Sequence, residues 1–214
     1  FGMDYMLAMI ISAVVIVGYT ALGGFLAAST TDLIQSCVMT IALVVVLCFG
    51  VNVAGGLDAV VQNAQTLPGY LAMNASYDAA SNAAVPYGPL TIVSTLAWGL
   101  GYFGMPHILL RFMAIENEQK LTTSRRVATV WVVISMFIAV LIGMVGLGMT
   151  NVGALPVLEG SASETVIVQI SSLMAEHGVL LALAAGVTLA GILAATMSTA
   201  DSQLLAASSS VSKD

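Results

Sequence analysis

The residues best suited to chemistry sit on the last apolar stretch, where 191–205 reads Gly-Ile-Leu-Ala-Ala-Thr-Met-Ser-Thr-Ala-Asp-Ser-Gln-Leu-Leu. Ala195, Ser198, Thr199 and Ser202 stand at i, i+3, i+4 and i+7, which is one face of a helix. Two adjacent hydroxyls and a carbonyl from the preceding turn present several oxygens to one point. Hard cations take oxygen ligands, and neutral ones suit a monovalent ion that must also leave. Asp201 adds a carboxylate one turn beyond Ser198. A charged side chain at mid-membrane costs roughly 2.5–3.5 kcal/mol, so this acid is expected to pair, protonate or hold a cation. The plainer role stays open beside it, because Ser and Thr also bind membrane helices to one another.

Residues 97–107 read Ala-Trp-Gly-Leu-Gly-Tyr-Phe-Gly-Met-Pro-His. Three glycines and a proline disfavour an unbroken helix. Broken helices at membrane depth line cavities or lie buried in protein, and their freed backbone groups hold solutes or ions in transporters. Trp98 and Tyr102 share a face, with Pro106 one turn on. The alternative is a Gly-rich packing surface with aromatics in the interfacial belt. Asp32 closes Ser-Thr-Thr-Asp (29–32) and reads either as the N-cap of a second helix or as a cation partner; the two roles are compatible.

The elements carrying these residues are membrane helices. Of 214 residues, 59% are hydrophobic and 7% charged, too few polar groups to cover a water-facing surface. With five Lys/Arg, eleven Asp/Glu and a net charge of −6, no basic patch exists to meet nucleic acid. His107 and His177 have no ligand neighbours at metal spacing, so no transition-metal site is expected. No Ser-His-Asp or Cys-His set can be composed from them, and phosphate-cradling Gly motifs are absent. This excludes an enzyme of those classes and an ATP-driven pump. Cys37 and Cys48 lie too far apart along a helix to pair.

Five uncharged windows each exceed the roughly 20 residues that cross a bilayer. They predict helices at about 5–27, 32–53, 88–110, 127–149 and 178–210, within a single transmembrane unit covering 1–214. Outer loops are expected at 54–87 and 150–177, with short helices near 56–64 and 164–175. Alternating loops place Arg111, Lys120, Arg125, Arg126 and Lys213 on one side, and Asp4, Asp58, Asp78, Glu159, Glu164 and Glu176 on the other. Basic residues are retained in the cytoplasm, so residue 1 is expected outside and residue 214 inside a multi-pass cytoplasmic (inner) membrane protein. No signal peptide is expected before Asp4. Because the chain starts at Phe1 and stops just past a span, it reads as part of a longer polypeptide.

With those segments assigned, the chain resembles the solute:sodium symporter family, nearest its bacterial sodium/proline branch. The resemblance rests on Tyr-Thr-Ala-Leu-Gly-Gly-Phe-Leu-Ala (19–27) with Thr-Asp (31–32), and on Trp-Gly-Leu-Gly-Tyr-Phe-Gly-Met-Pro-His-Ile-Leu (98–109) with Arg-Phe-Met-Ala (111–114). It also rests on Ile-Leu-Ala-Ala-Thr-Met-Ser-Thr (192–199) with Gln-Leu-Leu (203–205). It implies an all-α integral membrane fold, part of a five-plus-five inverted-repeat core, with the five helices present being the fourth to eighth. It further implies a sodium site at Ala195 (carbonyl), Ser198 and Thr199. A possible second cation site matches Asp32, Asp201 and Ser202 together with Ser198, and solute contacts match Trp98, Tyr102 and Pro106. Met105 departs from the proline branch, which is expected to carry Gln there. The first core helix, with its share of both sites, is missing.

The expected function is therefore secondary active symport: sodium (Na+), as the coupling ion, carries a small organic solute such as proline across the lipid bilayer. Two alternatives are a solute sensor built on the same fold and proton coupling through Asp201.

Overall fold

A computed structural model describes residues 4–102 and 104–213. Phe1, Phe103 and Asp214, on which parts of the sequence reading fall, lie outside the described residues. Helix α1 (Tyr5–Val53) starts on Asp4, whose carboxylate accepts from the backbone N–H of Met6 at 3.0 Å and of Leu7 at 3.2 Å. That cap satisfies two orphan donors at the positive end of the helix dipole. Gly24 then bends the helix with φ 55° and ψ −149°, a conformation essentially confined to glycine.

This bend is where the structure departs from the expected boundary between 5–27 and 32–53. The Ser-Thr-Thr-Asp run does not interrupt the helix. The Thr30 hydroxyl donates to Leu26 O at 2.8 Å and the Thr31 hydroxyl to Ala28 O at 2.9 Å. In apolar surroundings such back-bonding satisfies the side chains without ending the helix. Asp32 is accordingly not an N-cap: it lies inside the second arm, 25–53, and is buried.

Helix α2 (Leu57–Thr66) follows a tight turn. Strands β1 (Ala75–Asp78) and β2 (Ala83–Pro86) then form an antiparallel hairpin with Ser76 opposite Val85, inside a segment read from sequence as loop. Asp78 holds the hairpin turn, accepting from the Ser81 hydroxyl and the Ala80 N–H, and these bonds lower its pKa below the usual carboxylate value.

The third apolar stretch is interrupted. Helix α3 (Pro89–Tyr102) ends and α4 (Pro106–Met113) begins after Met105, whose backbone is extended. Proline at the first turn of α4 needs no N–H partner, which suits it to restarting a helix.

Helix α5 (Glu118–Asn151) is capped by Asn117, whose side chain accepts from Gln119 N at 2.9 Å. It starts nine residues ahead of the expected 127, since the basic residues mark where hydrocarbon ends rather than where helix ends. A 3-10 turn (Gly160–Thr165), α6 (Val166–Ala175) and α7 (Val179–Lys213) complete the chain. Among the described residues, α1, α5 and α7 are long and apolar enough to cross a membrane.

The 25–53 arm runs antiparallel to α7. Gly191 meets Met39 and Ala42, while Asp32 and Ser202 meet through a shared partner. Gly50 of α1 packs on Val145 of α5 so closely that a Cβ there would lie 2.5 Å from a Val145 methyl carbon. Such small residues let membrane helices approach. Val46, Ile142, Val145, Met149, Ile170 and Met174 form the buried centre. The acidic loops share one end, where Tyr70, Tyr77, Asp78 and Glu159 line a cavity of about 550 Å³. Helix α3, by contrast, has no buried residue.

Gly24→Ala is expected to destabilise the detergent-solubilised protein by about 1–3 kcal/mol, the cost of forcing a Cβ into that region. Gly18→Ala, at an open helical position, is expected to leave thermal unfolding unchanged. Equal melting of the two variants would disprove the role given to the bend.

Candidate ion and solute site

Helix α7 gathers Ala195, Ser198 and Thr199 as their spacing predicts. The Ser198 hydroxyl donates to Ala195 O at 3.0 Å, and the Thr199 hydroxyl to the same oxygen at 3.2 Å. Three oxygens thus converge within one helical turn. Each hydroxyl spends its proton on the backbone and keeps lone pairs able to accept a cation. Ala195 and Ser198 are half-buried, while Thr199 faces an open groove of about 480 Å³ shared with Gln203.

One turn further on, the polar residues change character. Asp201 is fully buried and Ser202 nearly so. The Asp201 carboxylate accepts from the Tyr19 hydroxyl at 2.7 Å and from the Ser202 hydroxyl at 3.2 Å. Asp32 forms an ion pair with Arg111, and the same guanidinium nitrogen, Nη2, donates to Ser202 Oγ at 2.6 Å. Ser202 Oγ also lies 2.9 Å from Ser198 O, so its single proton serves either that carbonyl or Asp201. Hydrogen bonds therefore link Tyr19, Asp201, Ser202, Arg111 and Asp32 across both arms of α1, α4 and α7. Buried charges in so apolar a setting are tolerated only when paired and hydrogen-bonded.

The structure thus brings Asp32, Asp201 and Ser202 together and places a cation of the chain itself among them. Arg111 and Tyr19 were not singled out in the sequence. Arg111 was counted with the basic loop, yet one clue was present. The expected topology puts Asp32 and Arg111 on the same side of the membrane, where a charged residue leaving hydrocarbon needs a partner. Tyr19 entered only as the first residue of the 19–27 stretch that carries the resemblance, with no role given to it.

The aromatic pair forms as the i, i+4 spacing predicts. Trp98 and Tyr102 stack with ring centroids 5.4 Å apart and planes inclined by 24°. Trp98 is 73% exposed and Tyr102 47%. No side-chain hydrogen bond among the described residues joins the pair to Ala195, Ser198 or Thr199. Pro106, just past the break, shares a groove of about 350 Å³ with Ala206 and Ser209 of α7. The break and the hydroxyl helix are therefore neighbours through α4.

Tyr19→Phe keeps the ring but takes a donor from a buried carboxylate, so it is expected to cost about 1–3 kcal/mol. Tyr5→Phe, at a side chain 80% exposed, is the control and is expected to be neutral. Thermal unfolding in detergent measures both, and an unchanged melt for Tyr19→Phe would dismiss the bond to Asp201 as idle.

Comparison with known proteins agrees with this architecture. A family model described as sodium:solute symporter family matches residues 1–214. The osmoregulated proline transporter OpuE of Bacillus subtilis is 35% identical over 214 residues, which are 100% of this chain and 40% of that protein. Sodium/proline symporter 2 of Staphylococcus saprophyticus is also 35% identical, over 100% of this chain and 38% of its own length. The sodium/proline symporter of Staphylococcus aureus is 34% identical over 216 residues, with the same shares. The chain spans about two fifths of the length of these curated relatives. No solved structure gives a significant match. Because the family match runs from the first residue to the last of a chain built on apolar membrane-length helices, this multi-pass membrane protein belongs to the sodium:solute symporter family.

Proposed function

We propose that the complete protein is a sodium-coupled symporter moving a small organic solute, an amino acid such as proline, inward across the cytoplasmic membrane. The observation that carries this reading is the family match over residues 1–214, and the Ser198 and Thr199 hydroxyls grouped with Ala195 O on one turn of α7 fit it. The set lies on the helix that packs beside the α3–α4 break. Oxygens of this kind hold a sodium ion without binding it too tightly to release. Freed backbone groups at the break and the stacked face of Trp98 and Tyr102 receive the solute, with Pro106 setting where α4 restarts.

In this scheme the two arms of α1, the broken α3–α4 unit, α5 and α7 are five crossings, half of a five-plus-five inverted-repeat core. The remainder of the polypeptide supplies the other half of both sites. It also covers the α3 surface. The end carrying Arg111, Lys120, Arg125 and Arg126 faces the cytoplasm by the rule that basic loops are retained there. Sodium entering down its gradient stabilises the outward-open arrangement and raises solute affinity, and by linkage the solute raises sodium affinity by the same factor. Inward opening then separates α7 from the rest of the site and frees both.

The proline relatives support an amino-acid solute. Met105 presents a thioether at the break where that branch is expected to carry an amide, which favours a solute recognised more by apolar and backbone contacts there.

Ser198→Ala and Thr199→Ala in the full-length protein are each expected to raise the sodium concentration for half-maximal uptake about 10-fold or more, equivalent to about 1.4 kcal/mol. The solute concentration needed at saturating sodium should move far less. Trp98→Ala should do the reverse. Counterflow of labelled proline in liposomes, with and without sodium, measures each, and uptake driven equally by a pH gradient without sodium would refute the coupling assignment.

A further inference from the structure

The first two turns of α5 face the end of α4 across a narrow groove that joins an unpaired positive charge to apolar walls. Phe112 of α4 and Leu121, Thr122 and Arg125 of α5 line it, and its volume is about 180 Å³. We propose that this groove holds the phosphate headgroup of an anionic phospholipid, with Arg125 as the principal contact. The site is separate from the ion and solute residues and does not depend on sodium coupling.

Charge selects the headgroup. Among the described residues, Arg111 pairs with Asp32 and Lys120 with Glu116 at 2.8 Å, while Arg125 has no acidic partner. A guanidinium beside apolar side chains is best satisfied by an anion that accepts two of its N–H groups, and a phosphate does so. Thr122 adds a hydroxyl to the same wall. No acidic side chain lines the groove, so the ammonium or choline of a zwitterionic lipid finds no partner there. The acid on α5, Glu118, stands about 10 Å before Arg125 along the helix axis. That separation is about one Debye length at 0.1 M salt.

Depth in the bilayer points to a lipid rather than a dissolved anion. The uncharged run of α5 begins at Val127, so Arg125 lies about 3 Å outside the hydrocarbon and Leu121 about 9 Å outside it. The headgroup layer is about 5–8 Å deep on each side, and the groove crosses it. Phe112 and Leu121 are both exposed there, and the glycerol and first methylenes of a lipid would cover them. On the face that carries Arg125, Val132 at i+7 is exposed in turn and open to the acyl chains below the headgroup. The 180 Å³ of the groove is less than the roughly 300–1,000 Å³ of pockets that enclose a whole small molecule. A site that holds only the headgroup end of a lipid needs no more.

The test is native mass spectrometry of the purified full-length protein in detergent, at about 0.15 M salt so that distant charges are screened. The protein is titrated with phosphatidylglycerol and, separately, with phosphatidylcholine. Arg125→Gln is expected to weaken one phosphatidylglycerol adduct about 10-fold or more, the worth of a hydrogen bond to a charged group. Arg126→Gln removes the same charge from a neighbouring face, and Lys120→Gln removes one already paired, so both are expected to leave that adduct unchanged. Equal loss in Arg125→Gln and Arg126→Gln would mean diffuse surface charge and overturn the proposal. So would an adduct that Arg125→Gln leaves intact, or one that phosphatidylcholine forms as tightly. Displacement of the lipid by an equal concentration of inorganic phosphate would assign the groove to a dissolved anion instead. Should Arg125→Gln fail to fold, Thr122→Glu keeps the guanidinium and places an acid beside it. That variant is expected to abolish the same adduct, and an adduct retained there overturns the assignment.

Discussion

A charge removed from water must find its counter-charge inside the protein, and the interior of this one turns on that constraint. Apolar faces pack against neighbours or lipid with little preference, because hydrocarbon is as apolar as leucine. Polar groups have no such freedom. Asp32, Arg111, Ser202, Asp201 and Tyr19 reach one another only when two arms of α1, α4 and α7 meet at one depth. Breaking one member of such a network strands another, which costs far more than the intact network contributes. The cluster therefore selects register and neighbours, while the aliphatic centre around Ile142, Met149 and Ile170 supplies bulk contact.

Two interruptions allow that meeting. At Gly24 a positive φ redirects α1, so that Tyr19 and Asp32, on opposite sides of the bend, both reach the α7 junction. At Met105 the backbone is extended and the chain resumes as α4, which points Arg111 at Asp32. A straight helix in either place would carry these side chains past one another. The first interruption needs glycine because only glycine takes that φ and ψ without strain. The second is favoured by the clustered glycines and by a proline suited to a helix start. Where α4 has partners, α3 has almost none. The exposed faces of Leu90, Trp98 and Leu100 fit a chain that covers two fifths of its relatives.

The hydroxyl turn and the ionic junction stand side by side on α7 but differ physically. Ala195, Ser198 and Thr199 are neutral and partly open, with lone pairs to spare. Asp201 and Ser202 are buried and their hydrogen bonds are spent inside the protein. Neutral, partly open oxygens suit a group that must bind and also leave. The fixed charges one turn away set the local field.

How much was legible follows from which interactions are local. Apolar stretches of membrane length, the i, i+3, i+4 stripe on α7, the stacking of Trp98 on Tyr102 and the break near Pro106 all follow from neighbours in the chain, and the sequence by itself determined them. It also limited the charges to a few, all needing partners. Which charge met which was beyond it, since Asp32 and Arg111 are 79 residues apart and Tyr19 and Asp201 are 182 apart. Local reasoning cast Asp32 as a helix cap because the preceding hydroxyls look like a helix start; in the structure they turn back onto their own carbonyls and the helix runs through. Tertiary structure alone decided the bend at Gly24, the hairpin in the outer segment and the placing of Arg111 between two helices. Pairing in a medium without water is a property of the assembled bundle, not of any one segment.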